Sequence, residues 1–355
     1  MKGIMEKIRD SKRAFIIAEI GVNYYDIAQK EGISALEAAK LMIKEAKEAG
    51  AQAAKFQTYK AGKIASKKAP AYWDTTEEST RSQYELFTKF DKFGEREYVE
   101  LAKYCEEIGI IFMSTPFDFE SADYLNELMP IYKISSSDLT NLPFIKHIAK
   151  KGKPVFISTG AATIGEIESA VNAILEEGNK DIAIMHCVLD YPTKYENANL
   201  NMINHLKQVF PGYILGYSDH TKPDKNMLVL TKAYEYGAKV IEKHFTLDKT
   251  LTGNDHYHAM EPNDLRIFNN NLEMLNLIEG GYCKRPLECE SSSRKQARRS
   301  LIAKQEIKKD EVITKEMITF KRPGTGISPV DLERVLGRKA KVNIEEDTIL
   351  TWDLF

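Results

Sequence analysis

A (β/α)₈ barrel followed by a small α+β domain is the fold class this sequence predicts. Three observations carry that reading. Over residues 1–280, short apolar or β-branched runs alternate with longer amphipathic stretches, and about eight such units over about 250 residues match a barrel of this type. No G-x-G-x-x-G follows the first run, which weakens the rival, an open doubly wound sheet with a dinucleotide site. Near Gly280 the rhythm stops and the composition changes.

The strand runs, in order, are Phe15–Gly21, Ala53–Thr58, Ile110–Thr115, Ile131–Ser135, Val155–Thr159, Ile182–Cys187, Tyr213–Ser218 and Val240–Phe245. Helical patterns lie between them, among them Ala35–Ala49, Glu95–Ile108, Ile164–Glu177 and Asp224–Tyr236. Thr163 and Glu166 have the spacing of a capping box, and Gly50, Gly109 and Gly237 suit helix C-terminal caps. The barrel is placed at 1–280, a linker at 281–295 and the small domain at 296–355. Residues 281–309 hold nine basic and three acidic side chains, and Ser291-Ser292-Ser293 reads as linker. Beyond it come strand-like runs at Arg299–Ala303, Val312–Ile313 and Ile318–Lys321, a turn at Pro323–Gly326 and an amphipathic stretch at Asp331–Leu336.

Composition narrows the function classes. The 355 residues are 43% hydrophobic and 29% charged, as expected of a soluble globular chain and unlike a disordered or fibrous one. A formal net charge of -2 argues against a general nucleic-acid binder. No apolar run approaches the roughly 18–20 residues of a membrane span, and no signal-peptide core follows Arg13. Cys105, Cys187, Cys283 and Cys289 are scattered and form no C-x-x-C pair, so neither a disulfide framework nor a cysteine zinc site is expected. The expected compartment is the reducing cytoplasm.

Barrel active sites lie at the C-terminal ends of the strands. There this chain places Glu19, Lys55 and Gln57, Ser114 and Thr115, Lys133 with Ser135–Asp138, Ser158 with Thr159, His186, Ser218 with Asp219 and His220, and Glu242 with His244. Lysines pointing into a barrel are unfavourable unless an anion or a carboxylate neutralises them. Two of them beside several hydroxyls suggest a bound phosphate, carboxylate or both. His220 and His244 end consecutive strands and could share a divalent cation, with Glu19 nearby once the barrel closes. Two unrelated polar-core histidines fit the same residues, and His186 is a competitor. His256 and His258 lie in a loop, free to serve a substrate or simply to face solvent, whereas His147 and His205 sit on helical patterns and read as structural. Tyr72, Trp73 and Tyr84 would form a lid over the barrel mouth or pack on its rim.

At these residues the chain resembles the sialic acid synthase family. The resemblance runs in order along the whole chain: Ile17–Gly21, Lys55–Thr58, Met113–Phe117, Tyr132–Ser136, Ile157–Gly160, Gly216–Thr221, Glu242–Thr246 and Lys321–Gly326. It implies a (β/α)₈ barrel with a C-terminal antifreeze-like (SAF) domain. It implies condensation of phosphoenolpyruvate with an N-acetylated hexosamine, release of phosphate, a divalent cation (Mn²⁺ or Mg²⁺) and a domain-swapped homodimer, with no nucleic acid and no membrane. Carried over by position, His220 and His244 hold the metal. Lys55, Thr115, Lys133, Ser136, Ser158 and Ser218 hold phosphoenolpyruvate. Gln57, Tyr191, Asp255 and Arg322 contact the sugar, Arg322 arriving from the partner's small domain. Glu19, Lys55, Lys133 and Arg322 form the catalytic set.

The expected acceptor is N-acetylmannosamine, giving N-acetylneuraminate; the alternative is a 2,4-diacetamido-trideoxyhexose, giving legionaminic or pseudaminic acid. Departures from the family pattern cluster on the acceptor side. Asn23-Tyr24-Tyr25-Asp26 follows the first strand in place of Asn-His-x-Gly, with an inserted helix entry at Ile27–Ser34. Leu189-Asp190 precedes Tyr191-Pro192 where an Asn is usual, Asp138 replaces a Glu, and Ser66–Arg81 offers no match for a sugar-contacting Asn. An aldolase would instead use one lysine as a Schiff base without metal. The basic stretch 281–309 reads as a solvated linker rather than a nucleic-acid site.

Overall fold

The computed structural model describes residues 3–73, 75, 78–253 and 255–355. Two compact units are present, Met1–Glu279 and Gly280–Phe355.

The first unit is a barrel of eight parallel strands: β1 (Phe15–Gly21), β2 (Ala53–Thr58), β3 (Ile111–Pro116), β4 (Tyr132–Ile134), β5 (Val155–Ser158), β6 (Ile182–Cys187), β7 (Ile214–Asp219) and β8 (Val240–His244). Their order is β3-β2-β1-β8-β7-β6-β5-β4, and β3 lies against β4 at the seam. Strand alternation divides the apolar residues into two cores. Outward residues such as Ile16, Ala18, Phe56, Ile157, Leu215 and Ile241 pack under the helices. Inward residues such as Ile17, Ala53, Met113, Phe156, Met185 and Val240 fill the lower barrel, and Met5 and Ile8 of the helix Ile4–Asp10 join them to close its floor.

Local signals explain most element ends. Ser34 with Glu37 and Thr163 with Glu166 form capping boxes, each satisfying otherwise orphaned N–H groups of the first turn. Gly109 ends the helix Glu95–Ile108 at φ 73°, a conformation only glycine adopts without strain. Two expectations are corrected. The helix expected from Asp224 starts at Leu228, because the Asp224 carboxylate accepts from the N–H groups of Asn226, Leu228 and Val229 and holds the chain in a turn. The segment Ile27–Ser34 is not a separate helix entry. A helix runs Tyr24–Glu31 directly after β1, Gly32 stops it in the left-handed region, and Ser34 caps the next helix.

The second unit pairs β9 (Ser300–Ala303) with β10 (Ile318–Lys321) antiparallel over a core that includes Leu301, Ile307, Ile313 and Leu350. The serines read as linker open a short helix, Ser291–Gln296; Arg294 and Lys295 in its last turn suit the helix dipole. Among the described residues no helix is long and apolar enough to cross a membrane.

Candidate active site

The inward face of each strand changes character as it rises. On β1 it reads Phe15, Ile17, Glu19; on β2 Ala53, Lys55, Gln57; on β8 Val240, Glu242, His244. The register sets Glu19 beside both Lys55 and His244, and Ser218 beside Glu242. Apolar packing below and polar ends above therefore leave a polar-floored cavity of about 500 Å³ at the barrel mouth.

Its floor is a cluster of four buried charges. Lys55 Nζ lies 2.5 Å from Glu19 and 3.7 Å from Glu242, and Lys133 Nζ lies 3.4 Å from Glu242. Hydroxyls complete it: Lys55 donates to Thr115 Oγ1 (2.9 Å), Lys133 to Ser158 Oγ (2.7 Å) and Ser218 to Glu242 (3.1 Å). Both lysines thus have carboxylate partners before any anion arrives. Burial pushes the Glu19 carboxyl up to about 7 against the pull of Lys55, with Glu242 adding to the rise. Burial also works on Glu242, but Lys133 and Lys55 hold it below the usual carboxylate range. Burial lowers the Lys133 ammonium, whereas Glu19 and Glu242 outweigh burial at Lys55 and raise it.

A second group of side chains lies at the ends of β7 and β8. The rings of His220 and His244 are 5.6 Å apart. His220 Nδ1–H donates to the Val188 carbonyl at 2.8 Å, which leaves Nε2 as the nitrogen outside that bond. Burial disfavours the charged ring, but Cys187 and the Val188 carbonyl outweigh it and hold His220 above the usual histidine range. His244 Nδ1 is buried without a hydrogen-bond partner among the described residues. Burial and the neighbouring imidazoles of His258 and His220 hold His244 well below the usual histidine range, in the neutral form that ligates metals. His244, with Asp255 and His258, offers donor atoms within 4.8 Å of one another that fit a divalent cation, and His220 lies beside them.

Every barrel residue that the family resemblance assigns to catalysis, substrate or metal lines this one cavity. Ser136 accepts from Gly160 N–H at 2.9 Å, and a Cβ on Gly160 would stand 2.8 Å from Ser136 Oγ, so glycine permits that close approach. Gln57 donates to Glu19 Oε1 at 3.0 Å. The Tyr191 ring lies 4.1 Å from that of His220, tilted by 38°. Burial pushes Asp255 up to about 6. Tyr72 and Trp73 line the mouth, with Tyr72 65% exposed. Arg322 is exposed on the second unit, immediately after β10.

Other strand-end residues face outward and leave the site. Ser114 bonds Thr58 (2.6 Å), His186 the Ala198 carbonyl (2.9 Å), and Asp219 pairs with Lys243 (2.5 Å). Of the two loop histidines, His256 is clamped between Thr246 (2.8 Å) and Asp26 (3.1 Å). His258 is fully buried and stands 4.8 Å, ring to ring, from His244; neither is solvated. Sequence reasoning passed over Cys187 and Leu189, which also line the cavity; strand alternation from Met185 would have pointed Cys187 inward. Asn23 is structural, donating to the Phe245 carbonyl at 3.0 Å, and Asp190 is exposed while its neighbour Leu189 faces the cavity.

Comparison with known proteins shows what the chain is similar to. The NeuB family model matches residues 42–284 and the SAF domain model residues 298–355. An N,N'-diacetyllegionaminic acid synthase of Campylobacter jejuni is 38% identical, covering 96% of this chain and 99% of that protein. A Homo sapiens N-acetylneuraminate-9-phosphate synthase is 33% identical over 96% of this chain and 92% of its own length. The crystal structure of an N-acetylneuraminic acid (sialic acid) synthetase from Leptospira borgpetersenii, in complex with citrate, superposes with a TM-score of 0.66 at 32% identity, covering 79% of this chain and 90% of that one.

Proposed function

The chain belongs to the NeuB family, and from that premise we propose that it joins phosphoenolpyruvate to a 2,4-diacetamido-trideoxyhexose, releasing phosphate and a nine-carbon keto acid of the legionaminate type. It is an enzyme of the transferase type. The observation that carries the reading is the buried Glu19–Lys55–Glu242–Lys133 cluster, ringed by hydroxyls, on the floor of the cavity. Phosphoenolpyruvate offers a phosphate and a carboxylate, and two ammonium groups with Thr115, Ser136, Ser158 and Ser218 suit both.

In this reading the C2=C3 electron pair of phosphoenolpyruvate forms a bond to the aldehyde carbon of the open-chain sugar, leaving C2 electron-poor. Water adds at C2; Glu19 takes one of its protons and returns it to the alkoxide left on the former aldehyde oxygen, and the second proton leaves with phosphate. The C2–O bond to phosphate then breaks, phosphate leaves, and the keto group forms. His220 and His244 would hold a divalent ion, Mn²⁺ or Mg²⁺, whose Lewis acidity would polarise the aldehyde oxygen. If ionised Glu19 is the working base, kcat/KM rises with pH through about 7. Glu19→Gln then loses that limb together with most of the turnover. A wild-type profile flat across about pH 5.5 to 8 would remove Glu19 from the role.

Two observations favour the diacetamido acceptor over N-acetylmannosamine. The legionaminic acid synthase of Campylobacter jejuni is more similar, at 38% identity, than the N-acetylneuraminic acid synthetase of Leptospira borgpetersenii, at 32%. Leu189 and Ile64 also give the cavity wall apolar surface, which suits a C6 methyl or an added acetamido methyl better than a hydroxyl. Two copies of the chain are part of the proposal, each offering Arg322 to the sugar in the other's barrel. So is a cytoplasmic setting, consistent with the free state of all four cysteines.

The test is phosphate release from phosphoenolpyruvate with Mn²⁺ and each acceptor in turn. Release with a diacetamido sugar is expected. Release with N-acetylmannosamine alone would keep the reaction and overturn the acceptor, and no release with any sugar would overturn the reaction. In the same assay Arg322→Ala should raise the KM of the sugar and leave that of phosphoenolpyruvate unchanged; equal effects would make Arg322 structural.

A further inference from the structure

His258 lies beyond β8, outside the pair of histidines that the family resemblance assigns to a metal. Its side chain is fully buried, and neither ring nitrogen has a hydrogen-bond partner among the described residues. An imidazole without partners in that setting is unfavourable, since a buried donor or acceptor left unmet carries its full desolvation penalty. His256, two residues earlier and equally buried, has both nitrogens satisfied, so the loop does not generally strand its polar atoms.

The surroundings show what His258 faces. Asp255 turns one oxygen towards each of two imidazoles: Oδ2 is 3.6 Å from His244 Nδ1, and Oδ1 is 3.7 Å from His258 Nε2. One donor atom from each of His244, Asp255 and His258 lies within 4.8 Å of the others, and all three residues are buried. Nitrogen and oxygen donors bound at about 2.0–2.2 Å to one ion stand roughly 3–4.4 Å apart, so closing on an ion draws these atoms, now within 4.8 Å of one another, somewhat closer together. The ring of His220 stands nearby, 5.6 Å from that of His244 and 6.2 Å from that of His258, outside the three residues whose donor atoms converge.

We infer that His258 is a third imidazole of the metal centre, gathered with His244 and Asp255 around one divalent ion. The inference rests on the metal-dependent reading above and extends it from the strand ends into the loop Asp255–His258. A set this rich in nitrogen favours a first-row transition ion over Mg²⁺, which prefers oxygen and water, and among that row Mn²⁺ is the one it favours least.

The experiment uses the full chain freed of metal by chelation. Free Mn²⁺ is followed by electron paramagnetic resonance during titration, and the visible absorption of a Co²⁺-loaded sample reports the donor set. Wild type, His258→Ala and the volume-filling His258→Leu are compared, with folding checked by thermal melting in chelator. Both variants should bind Mn²⁺ at least tenfold more weakly, with weaker or shifted Co²⁺ bands. Wild-type affinity and an unchanged Co²⁺ spectrum in the folded variants would overturn the role of His258. If wild type itself binds no stoichiometric ion, the metal reading fails and this inference goes with it.

Discussion

Replacing Lys55 with methionine should both destabilise the barrel and stop it from turning over. Lys55 sits between Glu19 and Glu242 at 2.5 and 3.7 Å, with every participant almost fully buried. Removing one member of such a group leaves carboxylates buried without compensation, which costs about 3–5 kcal/mol. The loss should grow with pH, and the sign can be derived. Glu19 is already raised to about 7 in the folded chain. Without Lys55 it rises further above its unfolded value. A carboxyl raised in this way favours the fold when protonated, and stability falls as pH rises through the folded value, by about 1.4 kcal/mol for each pH unit of separation. Thermal unfolding of Lys55→Met should therefore differ more from wild type at pH 8 than at pH 6. Adding Glu19→Gln should recover much of that stability and none of the activity, because the pair is coupled while the anion-holding ammonium is still missing. The kcat/KM for phosphoenolpyruvate should fall by roughly 10²–10³-fold, the range expected when one partner of a buried charge contact is removed. A Lys55→Met enzyme with unchanged phosphoenolpyruvate kinetics would take Lys55 out of the binding site.

His220→Ala and His244→Ala should lose turnover together with the response to metal. The two rings are held differently. His220 is fixed by its bond to the Val188 carbonyl, whereas His244 presents a buried nitrogen with no hydrogen-bond partner among the described residues. A Lewis acid at a developing alkoxide is worth several kcal/mol, so its loss should lower kcat by about 10³-fold or more. Activity that survives chelation in either variant would end the metal assignment. Imidazole added to the alanine variants offers a second readout, since partial rescue is expected of a lost ligand and not of a lost packing contact.

Much of this molecule can be read from its amino-acid order. The alternation of short apolar runs with amphipathic stretches sets the barrel, because each β-strand and helix must bury one face and the local period records which. The same alternation places polar ends on apolar strands, and it sorts Lys55 with Gln57 and Glu242 with His244. Capping signals and the glycine at 109 set element ends, because those interactions involve residues only a few positions apart. The change near Gly280 separates the two units for a similar reason: composition is itself a local property.

Contacts between distant segments were decided only by the tertiary structure. The list of strand-end polar groups did not separate His186, Ser114 and Asp219, which face outward, from the residues that line the cavity, although the period-2 alternation along each strand carries that distinction. The pairing of both lysines with carboxylates of β1 and β8 depends on closing the barrel, which brings positions 19 and 242 together across more than half of the chain. The placing of His258 beside His244 and Asp255 depends on how an aperiodic loop folds back over β8. Sequence by itself therefore determined the barrel, its polar rim and the chemistry available there. The three-dimensional fold decided which of those groups meet, because contacts between distant segments follow from strand register and loop path, which no local period encodes.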